Sequence, residues 1–255
     1  MLTLKDLEKK VTKRISDYIE FDVNEIFDVS DYITIYGGAV RDSLAGLEIH
    51  DIDILCMPSS AHKLRSFLKN KYNYKTWDYY DQDALNIYKG VPLISEPWTL
   101  MNDNKRIIQI IRPANCKSVV DYMFGIQDIV KNVDLSSCGV LLEKPGKDIV
   151  LIEACKDAII HSLSKIFEVN EWSQLYKRDR TFARIHKLES RGWTNLLDIL
   201  SNNNSNGFPP NSFLYKNVNS LKINRLMKLN KLEFKPEREY KVWTEGERLI
   251  NQSLL

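Results

Sequence analysis

Residues Ile33–Leu55 read ITIYGGAVRDSLAGLEIHDIDIL: a short apolar run, a Gly-Gly turn, a helix-like stretch, and two aspartates, Asp51 and Asp53, one residue apart among isoleucines. Side chains alternate faces along a β-strand, so Asp51 and Asp53 point to one side while Ile52 and Ile54 face a core on the other. Two carboxylates on one face suit a hard divalent cation, Mg²⁺ or Mn²⁺, shared with substrate phosphates. The glycine turn opening a helix upstream suits the phosphates themselves. Together the two halves predict phosphoryl or nucleotidyl transfer.

Around this stretch the chain reads as mixed strand and helix. Residues 3–28 carry Leu4, Leu7, Val11, Ile15, Ile19 and Phe21 at roughly helical spacing and predict an amphipathic helix. YITIYGG (32–38) predicts a first strand, AVRDSLAGL (39–47) a short helix and HDIDILCM (50–57) a second strand. SSAHKLRSFLKNKY (59–72) predicts a helix with Ser59 or Ser60 near its N-cap. Leu85–Tyr88, Arg106–Ile111 and Val133–Glu143 predict further strands, with Pro92, Pro97 and Pro113 punctuating loops. A mixed sheet carrying helices follows, of the α+β or α/β class. From about Leu151 the pattern turns helical, with helices over 152–166 and 171–191 and Gly192 as a stop. SNNNSNGFPPNS (201–212) reads as a loop, and the basic segment after it as one or two more helices.

Bulk composition narrows the class. With 255 residues, 44% of them hydrophobic, the chain has enough apolar material for a packed core in one large domain or two ordinary ones. No run approaches the length of a membrane span, and the charged amphipathic N-terminus is unlike a signal peptide, which favours the cytoplasm. Cys56, Cys116, Cys138 and Cys155 lie far apart with no CxxC pair, so neither a zinc knuckle nor a disulfide framework is indicated. The formal net charge of +2 makes any nucleic-acid contact a matter of local clustering.

The run Tyr36-Gly37-Gly38-Ala39-Val40-Arg41-Asp42-Ser43-Leu44-Ala45-Gly46 followed by Asp51-Ile52-Asp53-Ile54 resembles the GGxVRDxLLG…DxD signature of the DNA polymerase β superfamily of nucleotidyltransferases. It is most similar to the branch holding class II tRNA nucleotidyltransferases (CCA-adding enzymes) and bacterial poly(A) polymerases. Asn132–Val140, NVDLSSCGV, resembles that branch's RRDFTINAL element, with Asp134 on its aspartate but Asn132 and Val133 in place of the paired arginines. Asp179-Arg180-Thr181-Phe182-Ala183-Arg184, with Arg191-Gly192-Trp193 after it, more weakly resembles the helical EDxxR region, where an Asp and an Arg read the incoming base. Here Arg178 stands in the place of the Glu, so base selection is not inherited. The resemblance spans about residues 30–195, strongest over 36–54, and the last sixty residues or so match nothing.

The resemblance implies an α+β fold: a catalytic head over residues 1–150, with a mixed β-sheet and flanking helices, then a smaller helical neck-like domain over 151–255, with NTP bound between them. It implies Mg²⁺ or Mn²⁺ held by Asp51 and Asp53 and transfer of an NMP from an NTP to a 3′-hydroxyl, with RNA, and tRNA first, as acceptor. A third carboxylate from a later strand completes the metal site in this superfamily; Asp134 is the candidate and Asp121 its competitor. Gly37 and Gly38 would let backbone N–H groups approach the triphosphate, or simply form a tight turn. Arg41 either reaches a phosphate or pairs with Asp42 to fix the turn; Ser43 is a further phosphate candidate. Arg112, ending RIIQIIR, is a triphosphate contact or an ordinary edge arginine.

Lys177, Arg178, Arg180, Arg184, Lys187 and Arg191 recur on one predicted helix, with 180, 184, 187 and 191 in a single stripe. So dense a positive stripe calls for an anion, either NTP phosphates or an RNA backbone. Lys222, Arg225, Lys228 and Lys231 extend such a track or decorate a surface helix. His62, His161 and His186 have no partner at metal spacing, His50 precedes Asp51 and projects to the opposite face, a structural neighbour rather than a ligand, and Trp172 and Trp193 read as core packing or base stackers. Two rivals stand beside the RNA reading: a same-fold, toxin-like transferase acting on tRNA or on a protein side chain, and a non-catalytic nucleotide-binding regulator.

Overall fold

The aspartate-bearing strand lies near the middle of a seven-stranded mixed sheet in a computed structural model that describes residues 3–77, 94–171, 173 and 178–201. The elements in chain order are α1 (Leu4–Ile19), α2 (Asn24–Phe27), β1 (Ile33–Tyr36), α3 (Gly38–Ala45), β2 (Asp51–Cys56), α4 (Pro58–Tyr72), β3 (Lys75–Thr76), β4 (Ile94–Met101) and β5 (Ile107–Pro113). They continue with α5 (Val119–Lys131), a 3₁₀ turn (Ser136–Cys138), β6 (Val140–Glu143), β7 (Val150–Glu153), α6 (Ala158–Ser164), β8 (Ile166–Phe167), α7 (Arg178–Glu189), β9 (Thr194–Asn195) and α8 (Leu196–Ser201). The sheet order is β3-β4-β5-β2-β1-β6-β7; β2 and β5 run parallel and every other pair in it antiparallel. This is the α+β architecture that the sequence implied.

The alternation in β2 and β5 explains why the sheet separates two cores. Ile52, Ile54, Ile108 and Ile110 are fully buried, whereas their neighbours Asp51, Asp53, Ile107 and Gln109 keep partial exposure. The isoleucine face packs with α1 and α4 into one core, through Leu7, Val11, Ile15, Leu64 and Leu68. On the other face, α5 covers Leu55 and Ile111 with Tyr122, Met123 and Ile126. At the Asp51 end of that second face the β2 and β5 residues Asp51, Asp53, Ile107 and Gln109 remain partly exposed.

Helix α1 begins with a reciprocal capping box: the Thr3 hydroxyl accepts from Asp6 N at 3.2 Å and the Asp6 carboxylate accepts from Thr3 N at 2.9 Å. It ends at Ile19, short of the expected 28, because Glu20 turns left-handed (φ 70°) and Asp22 starts a separate turn by accepting from Asn24 N at 2.9 Å. Helix α4 starts on Pro58 after Met57 rather than at Ser59 or Ser60; Ser60 is buried and pairs with the Ser30 hydroxyl at 2.7 Å.

Several other expectations shift. Pro97 lies within β4, where the register slips between Ser95 and Trp98, and Pro113 is the last residue of β5. Of the expected 133–143 strand Val140–Glu143 joins the sheet and Leu135 makes an isolated bridge to Val169, since Ser136–Cys138 forms a 3₁₀ turn between them. Ile152 and Glu153 belong to β7, paired with Leu141 and Val140, so the helix expected over 152–166 is reduced to Ala158–Ser164. The helix expected over 171–191 is described from Arg178 to Glu189 and is followed by Gly192 at φ +81°. Leu85–Tyr88, Pro92, Trp172, Lys177, residues 202–212 and the later basic segment lie outside the described residues. Among the described residues no helix is long and apolar enough to cross a membrane.

One buried acid gives the fold a pH signature. Burial raises the Glu153 carboxyl from 4.5 to about 7, although its Oε1 accepts from Ile159 N at 2.7 Å. A folded-state pKa raised above the unfolded value makes a contribution that is full below about pH 4.5 and lost as pH rises through about 7. Glu153→Gln keeps the acceptor and removes the charge. It is expected to melt like the parent at pH 4.5 and to be more stable by about 2–3 kcal/mol at pH 8, as read by thermal melts at both pH values.

Candidate active site

The site is built where β1 hands over to α3 beside β2. Tyr36 pairs with Asp53 across the antiparallel β1–β2 ladder, so Gly37 and Gly38 leave the sheet next to that carboxylate. Gly37 has φ 74° and ψ −131°, a conformation open to glycine and costly for any residue with a Cβ. Its N–H donates to Val140 O at 3.0 Å and its carbonyl accepts from Arg41 N at 3.0 Å, which fixes the turn between β6 and α3. A Cβ built on Gly37 stands 3.9 Å from Asp53 Oδ2, so this carboxylate faces the turn. The N-cap residue of α3, Gly37, has no side chain to cap it, and a helix N-terminus favours an anion. Gly37→Ala is expected to destabilise the fold by about 1–2 kcal/mol through the strained φ, read as a lower melting temperature.

Tyr18 fastens the same, N-terminal end of β2 from its other side. Its hydroxyl donates to His50 O at 2.5 Å and accepts from Ile107 N at 3.0 Å, joining the starts of the parallel strands β2 and β5 just ahead of Asp51. Burial, with the Asp51 carboxylate adding to it, raises the Tyr18 phenol above its ordinary range, which keeps it a neutral donor. Asp51 and Asp53 thus project from the end of β2 that Tyr18 fastens and that the glycine turn adjoins. Hard oxygen donors on one partly exposed face are the donor set that a divalent cation requires.

The remaining candidates do not join them. Asp134 is fully buried; Arg184 Nη1 binds its Oδ1 and the Thr181 hydroxyl donates to its Oδ2 at 3.0 Å, so its carboxylate is committed to α7 rather than to Asp51 and Asp53. Asp121 is the N3 residue of α5 and accepts from Lys117 N and Ser118 N at 3.0 and 2.9 Å. Ser43 is fully buried and donates to Ala39 O at 2.7 Å within its own helix, so it presents no hydroxyl to a phosphate. Arg112 pairs in register with Ser95 on the opposite sheet face from Asp53, and its guanidinium lies 4.2 Å from the Trp98 ring centroid. Arg180 lies half-buried on α7.

Arg41 is buried and pairs with Asp42, Nε to Oδ1 at 2.8 Å. It also donates from Nη1 to Cys138 Sγ at 3.1 Å and covers the Trp193 ring at 5.4 Å, while Nη2 lies 3.7 Å from a Cβ built on Gly38. Its charge therefore sits beneath the glycine turn. Asp42 Oδ2 takes a second arginine, Arg191 Nη1 at 2.9 Å, and Arg191 Nη2 donates to Glu48 O at 2.9 Å in the loop before Asp51. Arg184 Nη2 donates to Cys138 Sγ at 3.3 Å, completing a chain from Asp134 through Arg184, Cys138, Arg41 and Asp42 to Arg191.

The anions facing Arg184 and Arg191 on the basic stripe are thus the protein's own Asp134 and Asp42. Sequence reasoning missed the roles of Cys138 and Arg191 in this network, because both depend on contacts between distant segments. The pairing of Arg41 with Asp42 was legible as one of two alternatives. Trp193 is buried beneath Arg41, in keeping with core packing.

The fold has solved counterparts. A CCA-adding enzyme in complex with CTP superimposes with a TM-score of 0.52 at 18% identity, over 76% of this chain and 43% of that one. The Thermotoga maritima CCA-adding enzyme complexed with tRNA_CCA superimposes with a TM-score of 0.50 at 16% identity, over 76% of this chain and 42% of that one. The chain has the fold of the CCA-adding enzymes. It spans less than half the length of either protein. No protein-family model matches it, and no curated protein matches it in sequence.

Proposed function

We propose that this protein is a divalent-metal-dependent nucleotidyltransferase that moves an NMP from an NTP to a 3′-hydroxyl of RNA, tRNA first, with release of pyrophosphate. The catalytic head, expected over residues 1–150, runs on through β7 (Val150–Glu153), which belongs to its sheet, and the chain after it serves as a neck-like unit. The observation that carries this reading is the placement of Asp53 Oδ2 against the Gly37 turn, at the uncapped start of α3. Asp51 and Asp53 would hold Mg²⁺ or Mn²⁺, which supplies charge neutralisation at the triphosphate and acidifies the attacking hydroxyl.

The chain's own groups do the rest. The glycine turn and the first-turn N–H groups of α3 seat the phosphates, with the Arg41 guanidinium supplying positive charge from beneath Gly38. Tyr18 holds the two parallel strands in register, and Arg191 ties α7 to the loop that leads into Asp51. The neighbours were solved with CTP and with tRNA, which supports NTP and tRNA as the first substrates to test.

A second acceptor class is favoured by a specific observation. Arg184, on the helix that resembles a base-reading element, and Arg191, just past its end, are engaged by Asp134 and Asp42. Acceptor and NTP choice then rests on other residues, which leaves a same-fold transferase acting on another RNA or on a protein side chain. Incubation with each labelled NTP, Mg²⁺ or Mn²⁺, total RNA and a protein mixture separates the two by where the label appears. Transfer of no NMP to any acceptor by the folded protein overturns the enzymatic reading.

A further inference from the structure

We infer that Gln109 supplies the third protein oxygen of the cation site, so that this chain holds its ion with two carboxylates and one neutral amide. The inference rests on the nucleotidyltransferase reading and concerns how that site is completed. In the parallel β2–β5 ladder, Asp51 is in register with Ile107 and Asp53 with Gln109. Partners in register project from the same sheet face, and adjacent strands lie about 4.8 Å apart. Gln109 therefore stands directly beside Asp53 on the face that carries both aspartates. Burial agrees: Ile108 and Ile110 on either side of it are fully buried, whereas Gln109 itself is partly exposed.

The alternatives for a third ligand are occupied elsewhere. Asp134 is bound by Arg184 and Thr181, and Asp121 caps α5. Among the described residues no three His, Cys, Asp or Glu side chains gather at metal-binding spacing, so a third donor from those residues beside Asp51 and Asp53 is of another type. A glutamine amide oxygen is a hard donor of the kind that divalent cations accept alongside carboxylates.

Position also assigns its side of the site. Asp53 has Tyr36 and the Gly37 turn on its β1 side and Gln109 on its β5 side. With the phosphates seated at the glycine turn, Gln109 lies on the far side of Asp53 from them. Beyond it on the same partly exposed face are Thr99, in register with Gln109, and Met101, in register with Ile107. A neutral amide leaves the ion less neutralised on that side than a carboxylate would, and it lowers the cation affinity of the protein before NTP arrives.

The test measures Mn²⁺ binding to the full chain without nucleotide, by the loss of the free-ion paramagnetic resonance signal, with circular dichroism reporting the fold. Gln109→Glu adds a charge to the ligand set and is expected to tighten Mn²⁺ about tenfold, while Gln109→Ala weakens it about threefold or more. Asp53→Asn is expected to reduce binding further than either. Both Gln109 variants within twofold of the parent, with Asp53→Asn still losing Mn²⁺, would overturn the role of Gln109 and leave the two-aspartate site standing. Mn²⁺ binding that survives Asp51→Asn and Asp53→Asn unchanged would remove the metal reading, and the inference with it.

Discussion

Asp51→Asn and Asp53→Asn are each expected to lower nucleotidyl transfer by about 10³-fold or more while leaving the fold intact. The substitution keeps side-chain shape and one oxygen acceptor, so the strand pairs Tyr36 with position 53 and Ile107 with position 51 survive. What disappears is half of the negative charge on a face where both carboxylates are partly exposed and aligned. Like charges on one strand face repel, so melting temperature should stay level or rise slightly. Label incorporation from NTP into RNA, measured beside a thermal melt, separates the outcomes. A variant that loses activity and melts many degrees lower would show a structural role for the aspartate; one that keeps parental transfer would remove it from the chemistry.

The strength of this expectation comes from a part of the molecule that local sequence specifies well. Alternation places Asp51 and Asp53 on one face because their intervening isoleucines must be buried, and Gly37 is required by a positive φ that follows directly on β1. Both features depend on residues adjacent in the chain. Arg112 shows the opposite case: its face is set by how β5 registers against β2, and a slip of one residue would move it to the aspartate side. Gln109 was visible as the one polar residue inside RIIQIIR, yet only the register puts it beside Asp53.

The basic stripe of α7 was legible as a demand for negative charge and silent about its source. Helical spacing put Arg184 and Arg191 on one helix, but α7 ends at Glu189 and leaves Arg191 just beyond it, and their partners Asp134 and Asp42 lie 50 and 149 residues away from them in the chain. Ser43 misled for a local reason: a serine inside a helix can bond the carbonyl four residues back instead of facing a ligand.

Asp134 is where the structural and the catalytic assignments make opposite forecasts. Its side chain is 1% exposed, and the groups that surround it are Arg184, 31% exposed, and the buried Thr181 hydroxyl. Removing the carboxylate leaves a buried hydroxyl without its acceptor and a guanidinium that can only partly reach water. Asp134→Ala is therefore expected to cost about 3 kcal/mol, a fall in melting temperature of roughly 6–12 °C. Asp134→Asn, which keeps an oxygen for the Thr181 hydroxyl, should lose less. Mn²⁺ affinity of the folded fraction should match the parent in both. Had Asp134 been the third metal ligand, the pattern would invert, with Mn²⁺ affinity falling and the melt barely moving. Because Arg184 also donates to Cys138, which in turn receives Arg41 from beneath Gly38, loosening Asp134 should reach the phosphate end of the site as well. That coupling predicts weaker NTP binding with unchanged Mn²⁺ binding, a combination that a ligand of the ion cannot produce.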